Sequence, residues 1–471
     1  MAGFVIVGLS LSLLVFFATL LSPLLITSAK PLLNITLDAS ALTIYFFVFC
    51  TIYNSTLISV IAVYDRLRLR KEEESENHHF SIIVPCRNEE SVIMKTLSSI
   101  VALDYSKDKF DVLVVNDGST DRTGEVAHGF ASGFPNLKVL DVPQEQAGRG
   151  KSAALNRAFQ YLLQLHPKRK KEDWIIGVFD ADGTPEKNML GKMSYQFRDK
   201  KVGAAQAMVR IGNRRDSVLA RLQDVEFVTF AKVTQFVRNI FKGAVALGGN
   251  GQFVRATALE SVALSSGEYW RTDALTEDLD LGTRLLLKGW DSQFILTSSV
   301  YQQGVHTLEA LYRQRTRWAW GSLQAFIRYV LSLQVLRGGA GALKKLDLAY
   351  YLSCPITPLA ILICWIISAL ALLGIVSVTN PFPAYFMIAN AVSFFPLMGF
   401  GLWTSRQEYP LKRMIPLLFT ANAYTYHWIV TSIRAIVHVI RKDKPYWTRT
   451  PRAPEKSSDE NSRNAPATTS R

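Results

Sequence analysis

Trp174-Ile-Ile-Gly-Val-Phe-Asp-Ala-Asp182 is an apolar run that stops on two carboxylates one residue apart. Six consecutive residues without a charge, rich in β-branched and aromatic side chains, predict a strand buried on both faces, and such strands belong to parallel sheets covered by helices. Two similar runs precede it, Phe80-Ser-Ile-Ile-Val84 and Asp111-Val-Leu-Val-Val115. Between the runs lie stretches of helical pattern, Glu89 to Val101 and Ser152 to Leu165. Strands alternating with helices predict a doubly wound α/β domain whose ligand site lies at the carboxyl ends of the strands. The acids Asp180 and Asp182 stand at that edge. A turn needs no such pair, whereas a hard divalent cation, magnesium or manganese, is held by one or two carboxylates and would neutralise a departing diphosphate.

Outward from this domain the composition changes. Of 471 residues, 49% are hydrophobic and 20% charged, and Lys and Arg exceed Asp and Glu by 53 to 39, a net charge of +14. The basic residues flank apolar segments, as in Asp65 to Lys71 and Arg441 to Lys444, which fits the positive-inside rule and argues against nucleic acid as partner. Gly3 to Ala29 and Ala41 to Tyr64 are long enough to cross a bilayer. The first is too long for the apolar part of a signal peptide and has no basic residue before it. Expected domains are therefore two membrane helices over 1–71, a cytoplasmic catalytic domain over 72–306, interfacial amphipathic helices over 307–345, membrane or interfacial helices over 346–450, and a disordered tail over 451–471. Within the fourth, Tyr350 to Val378, broken by Pro355 and Pro358, and Tyr385 to Trp403 are expected to cross. Met414 to Ile440, with His427, Arg434 and His438, is expected to lie tilted or re-entrant, leaving the tail cytoplasmic. Asn34-Ile-Thr36 is a sequon in the expected outer loop. Cys50, Cys86, Cys354 and Cys364 have no metal spacing and predict neither a disulfide framework nor a zinc site.

Four further groups carry chemistry. Pro85-Cys-Arg-Asn-Glu-Glu90 and Asn116-Asp-Gly-Ser-Thr-Asp-Arg-Thr123 follow the first two strands, where Asp117 can accept from a base N–H and Ser119, Thr120 and Asp121 can equally cap a helix. Gly148-Arg-Gly-Lys-Ser152 opens a helix and can meet phosphate, although its spacing is not that of a Walker loop. Thr276-Glu-Asp-Leu-Asp280 puts three acids in the first turn of a helix; they complement its dipole, and Asp278 can also serve as a general base. Gln314-Arg-Thr-Arg-Trp318 sets a guanidinium beside an indole and an amide, a clamp for phosphate or a sugar face.

Taken in order, the five groups resemble the membrane-bound family-2 glycosyltransferases, which include hyaluronan, chitin, cellulose and poly-N-acetylglucosamine synthases and related glycolipid-forming enzymes. The resemblance covers about Phe80 to Trp320. It implies a GT-A fold, a UDP-sugar donor, a divalent cation, and inverting transfer of glucose or N-acetylglucosamine to a growing β-linked polysaccharide. It implies uracil contact for Asp117, a donor-phosphate contact for Lys151, donor and metal contacts for Asp180, and the metal-binding acid in Asp182. It makes Asp278 the base, Glu277 its neighbour on the acceptor side, and Gln314, Arg317 and Trp318 the group that holds the diphosphate and borders the acceptor. Gly248-Gly-Asn-Gly-Gln-Phe-Val-Arg255 departs from the polysaccharide synthases and is similar to the segment of β-glucosyldiacylglycerol synthases, so Gly249, Asn250 and Gln252 are expected on the acceptor side and a lipid acceptor stands as the alternative. A non-catalytic membrane scaffold would have no need of this set of acids with Arg317 and Trp318.

Overall fold

All three apolar runs form strands at the heart of one sheet. The computed structural model describes residues 36–37, 73–240, 242–378, 395, 398–409 and 411–444. The expected spans Gly3 to Ala29 and Ala41 to Tyr64, the basic cluster 65–71, the first part of Tyr385 to Trp403 and the tail lie outside them. The catalytic region contains β1 (His79–Cys86), α1 (Ile93–Val101), β2 (Phe110–Asn116), α2 (Thr123–Ala131), β3 (Leu137–Asp141) and α3 (Lys151–Leu165). β4 (Trp174–Val178), β5 (Thr184–Pro185), α4 (Met189–Gln196), β6 (Val202–Ile211), α5 (Val218–Thr229), β7 (Gln252–Arg255), α6 (Glu277–Lys288) and β8 (Asp291–Gln302) follow.

Alternation along the strands divides the core between the two faces of the sheet. Phe80, Ile82 and Val84 pack with Phe110, Val112 and Val114 beneath Leu97, Ala127 and Met193 of α1, α2 and α4. Ile83, Leu113 and Val115 face the other way, against Leu155, Phe159 and Leu285 of α3 and α6. Each such fully buried side chain contributes about 1.5–3 kcal/mol relative to an exposed one.

The sheet order is β3-β2-β1-β4-β7-β6-β8-β5. The first four strands are mutually parallel, as the apolar runs predict. A purely parallel, doubly wound sheet is corrected at the fifth, because β7 runs antiparallel to both β4 and β6, and β5 antiparallel to β8. This reversal positions the site. An antiparallel β7 begins where β4 ends, with Gln252 opposite Val178, so the loop before β7 lies over the carboxyl end of β4.

Beyond the sheet come α7 (Leu308–Ala325), α8 (Ala342–Ser353), α9 (Thr357–Leu372), α10 (Leu411–Thr425) and α11 (His427–Ile440). Thr307 caps α7, its hydroxyl accepting from Ala310 N at 3.2 Å. The amphipathic interfacial helices expected over Thr307 to Leu336 include one, α7, that packs against the rest of the protein. Leu311, Ala319, Trp320 and Leu323 of α7 are buried, the last three against Ala435 of α11, and the exposed apolar residues Leu331, Leu333 and Leu336 come after it. The reason is a second apolar face that α11 covers.

Among the described residues, one helical run of 30 residues, Ala342–Ala371, is long and apolar enough to cross a membrane. Pro355 turns it into a short 3-10 segment at Cys354–Ile356 without ending it. Met414 to Ile440 is broken at Tyr426 into α10 and α11, of 15 and 14 residues. At 1.5 Å per residue each is about 20 Å long, short of a bilayer core of about 30 Å. Cys86 and Cys354 are free thiols.

Candidate active site

A cavity of about 1000 Å³ opens at the carboxyl ends of β1, β2 and β4 and runs on between α5, α7, α9 and α11. Asp117, Lys151, Asp180, Asp182, Gly249, Asn250, Glu277, Asp278, Gln314, Arg317 and Trp318 all line it. Of the site residues expected from the sequence, Gln252 alone does not: it is fully buried within β7.

At one end, Asp117 follows β2 and its carboxylate oxygens accept from Gly148 N, each at 3.2 Å. The Arg87 guanidinium stands 3.9 Å from it. Gly148 has φ +73°, a conformation that favours glycine, and a Cβ there would lie 2.2 Å from an Arg87 nitrogen, so that side chain would have to move. This corner presents a carboxylate and a guanidinium around a tight turn, suited to a planar, hydrogen-bonding base.

In the middle, Lys151 is the first residue of α3. Its ammonium pairs with the Asp180 carboxylate, donates to Gly249 O at 2.7 Å and lies 3.7 Å from Glu277. Burial alone would lower its pKa, yet Asp180 and Glu277 together hold it above the usual lysine range. Gly249 has to be small, since a Cβ there would meet Lys151 Nζ at 2.8 Å and Asp278 Oδ2 at 3.4 Å. Asn250 locks the loop to the strand end: its Oδ1 accepts from Asp180 N at 3.2 Å and its Nδ2 donates to Gln302 Oε1 at 3.1 Å.

Asp278 sits in the first turn of α6, where a helix dipole favours the anion. Two effects overrule the dipole. Burial, then the neighbouring Glu277 carboxylate, push its carboxyl up to about 7 against the pull of Lys151. The third acid of the group serves the helix instead of the cavity. Asp280 is buried and accepts from Tyr329 Oη at 2.6 Å and Arg284 Nε at 2.8 Å, which fixes α6 in place.

On α7, Gln314, Arg317 and Trp318 share a face through i, i+3 and i+4 spacing. Arg317 Nη1 donates to Leu275 O at 3.3 Å, tethering it beside the α6 turn. Past Trp318 the wall becomes apolar, with Phe230, Tyr351, Ile361, Met398 and Ile429.

Asp182 Oδ2 accepts from Gln303 N at 2.9 Å, and no group of three His, Cys, Asp or Glu forms a metal cage among the described residues. Magnesium does not need one, since it binds through one or two carboxylates and completes its shell with substrate phosphate and water. Two carboxylates at one strand end, both on the cavity wall, fit that requirement.

Arg87, Glu226, Arg315 and Trp428 were not singled out from the sequence. Glu226 stands among Val225, Phe227 and Val228 on α5, and Arg315 stands inside the Gln-x-x-Arg-Trp pattern; a carboxylate flanked by apolar residues was the available signal.

Comparison with known proteins agrees with this geometry. β-Monoglucosyldiacylglycerol synthase of Nostoc sp. is 35% identical over 260 residues, 55% of this chain and 52% of that one. The probable glycosyltransferase YdaM of Bacillus subtilis is 31% identical over 265 residues, 55% of this chain and 59% of that one. The chain thus spans about half the length of these relatives. Poly-β-1,6-N-acetyl-D-glucosamine synthase of Staphylococcus epidermidis is 24% identical over 385 residues, 79% of this chain and 86% of that one. Among solved structures, the mannosyltransferase PcManGT of Pyrobaculum calidifontis, in complex with GDP-Man and Mn2+, aligns with a TM-score of 0.48 at 17% identity, over 85% of this chain and 99% of that one. Residues 78–321 match the family described as glycosyltransferase like family 2. That stretch is just over half the chain and holds every motif gathered round the cavity, so the chain belongs to the family-2 glycosyltransferases, with their GT-A-like α/β fold.

Proposed function

We propose that the chain is an inverting hexosyltransferase that moves glucose or N-acetylglucosamine from a UDP-sugar to a growing β-linked polysaccharide at the cytoplasmic face of a membrane. The observation that carries this reading is the Asp278 carboxyl, held near 7 within one glycine's width of the Lys151 and Asp180 pair. A base of that strength takes a proton from an acceptor hydroxyl near neutral pH. The acceptor oxygen forms its bond to the anomeric carbon as the bond from that carbon to the diphosphate oxygen breaks. The electron pair leaves with the diphosphate, and an α-linked donor gives a β-linked product. Lys151 and Arg317 offset the charge that develops on the leaving group, and Asp117 orients the uracil ring. Asp180 and Asp182 would hold the magnesium or manganese that adds to this offset. Trp318, with Glu277 and the Gly249–Asn250 loop, borders the acceptor.

A lipid acceptor, receiving a single β-glucosyl residue, is a second reading. The apolar outer half of the cavity and the greater identity to β-monoglucosyldiacylglycerol synthases favour it. The run Ala342–Ala371 as a crossing and the short α10–α11 pair as a re-entrant element fit a membrane protein with its catalytic region on the cytoplasmic side. The full chain in dioleoylglycerol-containing phosphatidylglycerol vesicles, supplied with radiolabelled UDP-glucose or UDP-N-acetylglucosamine, tests the proposal. Label in a high-mass fraction supports the first reading and label in the organic phase the second; label in neither overturns both.

A further inference from the structure

The wall of the cavity behind Trp318 contains a buried ion pair that the reaction scheme above does not use. Arg315 is fully buried and does not itself line the cavity. Its Nη2 donates to Glu226 Oε2 at 2.7 Å, and its Nη1 donates to Gln314 Oε1 at 3.0 Å. Its guanidinium lies 4.1 Å from the centroid of the Trp318 ring. Phe227, next to Glu226 on α5, meets the same ring edge-on at 6.1 Å. The other partners of Glu226 come from the last two helices: Tyr424 Oη donates to its Oε2 at 2.9 Å and Trp428 Nε1 to its Oε1 at 3.0 Å. One carboxylate and one guanidinium therefore join α5, α7, α10 and α11.

We propose that Glu226 and Arg315 are positioning residues for sugar transfer, fixing Trp318 at the acceptor side of the cavity and tying its orientation to α10 and α11. A buried ion pair is a weak source of stability, because the cost of desolvating both charges consumes the attraction, and well-packed apolar replacements are often neutral. What this pair does supply is direction. The planar fork of arginine commits one edge to Glu226 and one to Gln314, while its face stacks on Trp318; an ammonium has donors but neither the fixed fork nor a planar face to stack. Tyr424 and Trp428 complete the carboxylate's shell, so Glu226 has one seat. Movement of α10 and α11 would pass through that seat to the Trp318 ring that borders the acceptor.

The inference rests on the reading that Trp318 borders the acceptor, and the test keeps the two apart. The full chain in phosphatidylglycerol vesicles containing dioleoylglycerol is given UDP-glucose or UDP-N-acetylglucosamine labelled in the sugar. Transfer to product and release of free sugar are then read in the same sample, beside the thermal unfolding midpoint. The variants are Arg315→Lys and the double replacement Glu226→Gln with Arg315→Met. The latter removes both charges while Gln keeps an acceptor oxygen for the Trp428 indole and an amide N–H that can donate to the Tyr424 hydroxyl, and Met fills the arginine's space against aromatic rings. We expect the double variant to melt like the parent but to lose transfer by on the order of tenfold to a hundredfold, the scale of a small misplacement of reacting groups. Hydrolysis of donor and KM for donor should stay within about twofold. Arg315→Lys should show the same split; if the double variant does not fold, the lysine variant decides alone. Transfer that returns with stability in the double variant, or hydrolysis that falls in step with transfer, makes the pair merely structural and overturns the proposal. A parent protein that hydrolyses or transfers neither donor overturns the proposed function as well.

Discussion

Replacing Asp278 by Asn should stabilise the protein while abolishing its chemistry. The carboxyl is raised from 3.8 to about 7 by burial and by Glu277. By linkage, the folded site then disfavours the carboxylate by roughly 4 kcal/mol, an upper limit because the group is partly exposed. The sign follows from the direction of the shift. A folded-state value above the unfolded one leaves no penalty below about pH 4, a penalty that grows between about 4 and 7, and the full penalty above. Asn has the same shape and no charge, so its advantage should widen from about 1–2 kcal/mol at pH 5 to several kcal/mol at pH 8. Melting of parent and variant followed by intrinsic fluorescence at these two pH values reads this as a gap that widens by several degrees. Transfer should meanwhile fall at least on the order of a hundredfold, the usual loss of a general base. The parent's transfer rate should rise with pH and level off above about 7, as the base becomes available. A variant no more stable than the parent at pH 8, or one that keeps more than about a tenth of the activity, would refute the placement of Asp278 as a destabilised base.

Three further outcomes follow from the same cavity. Lys151→Met leaves Asp180, Glu277 and Asp278 without their shared cation; KM for the UDP-sugar should rise at least about tenfold and the midpoint of the pH–rate profile should move above 7, both read from initial rates. Asp182→Ala should lose transfer while remaining folded, and transfer by the parent should stop in chelator and return with magnesium or manganese; full activity in chelator would remove the metal from the scheme. Gly148→Ala places a Cβ at φ +73° against Arg87, so UDP binding measured by calorimetry should weaken by about tenfold or more, and the melting midpoint should fall by a few degrees from about 1–2 kcal/mol of backbone strain.

The sheet and the donor half of the site were legible in the sequence for a common reason. β1, β2 and β4 are buried on both faces, so they read as continuous apolar runs, and the residue after such a run is at the carboxyl edge whatever the topology. Asp117, Asp180 and Asp182 were therefore placed by strand ends alone. β6 and β7 were not foreseen. Val202–Ile211 contains Gly203, Gln206 and Arg210, and the two polar side chains are buried against distant partners: Gln206 donates to Asn250 O at 2.8 Å, and Arg210 pairs with Asp224 at 2.8 Å. Those compensations do not exist within a local window of sequence. Gln252 was misplaced for the related reason that the four-residue β7 is too short to show alternation, so the buried inward direction of its side chain could not be separated from its loop neighbours Gly249 and Asn250.

The acceptor half was illegible for a different reason, and it bears on what decides the product. Its wall is assembled from Phe230 after α5, Tyr351 on α8, Ile361 on α9, Met398 and Ile429 on α11, five separate pieces of chain. Each reads alone as an ordinary apolar residue of a membrane-proximal helix. The acid and guanidinium motifs, by contrast, sit on strand ends and on α7, within the stretch 78–321 that matches the family. In the proposed reading, a donor site on strand ends joined to an acceptor wall built from helices would let the acceptor change while the bond-making residues stay as they are. Glu226 and Arg315 lie at the joint between these two parts, which is where a change in the helices would reach the reacting groups.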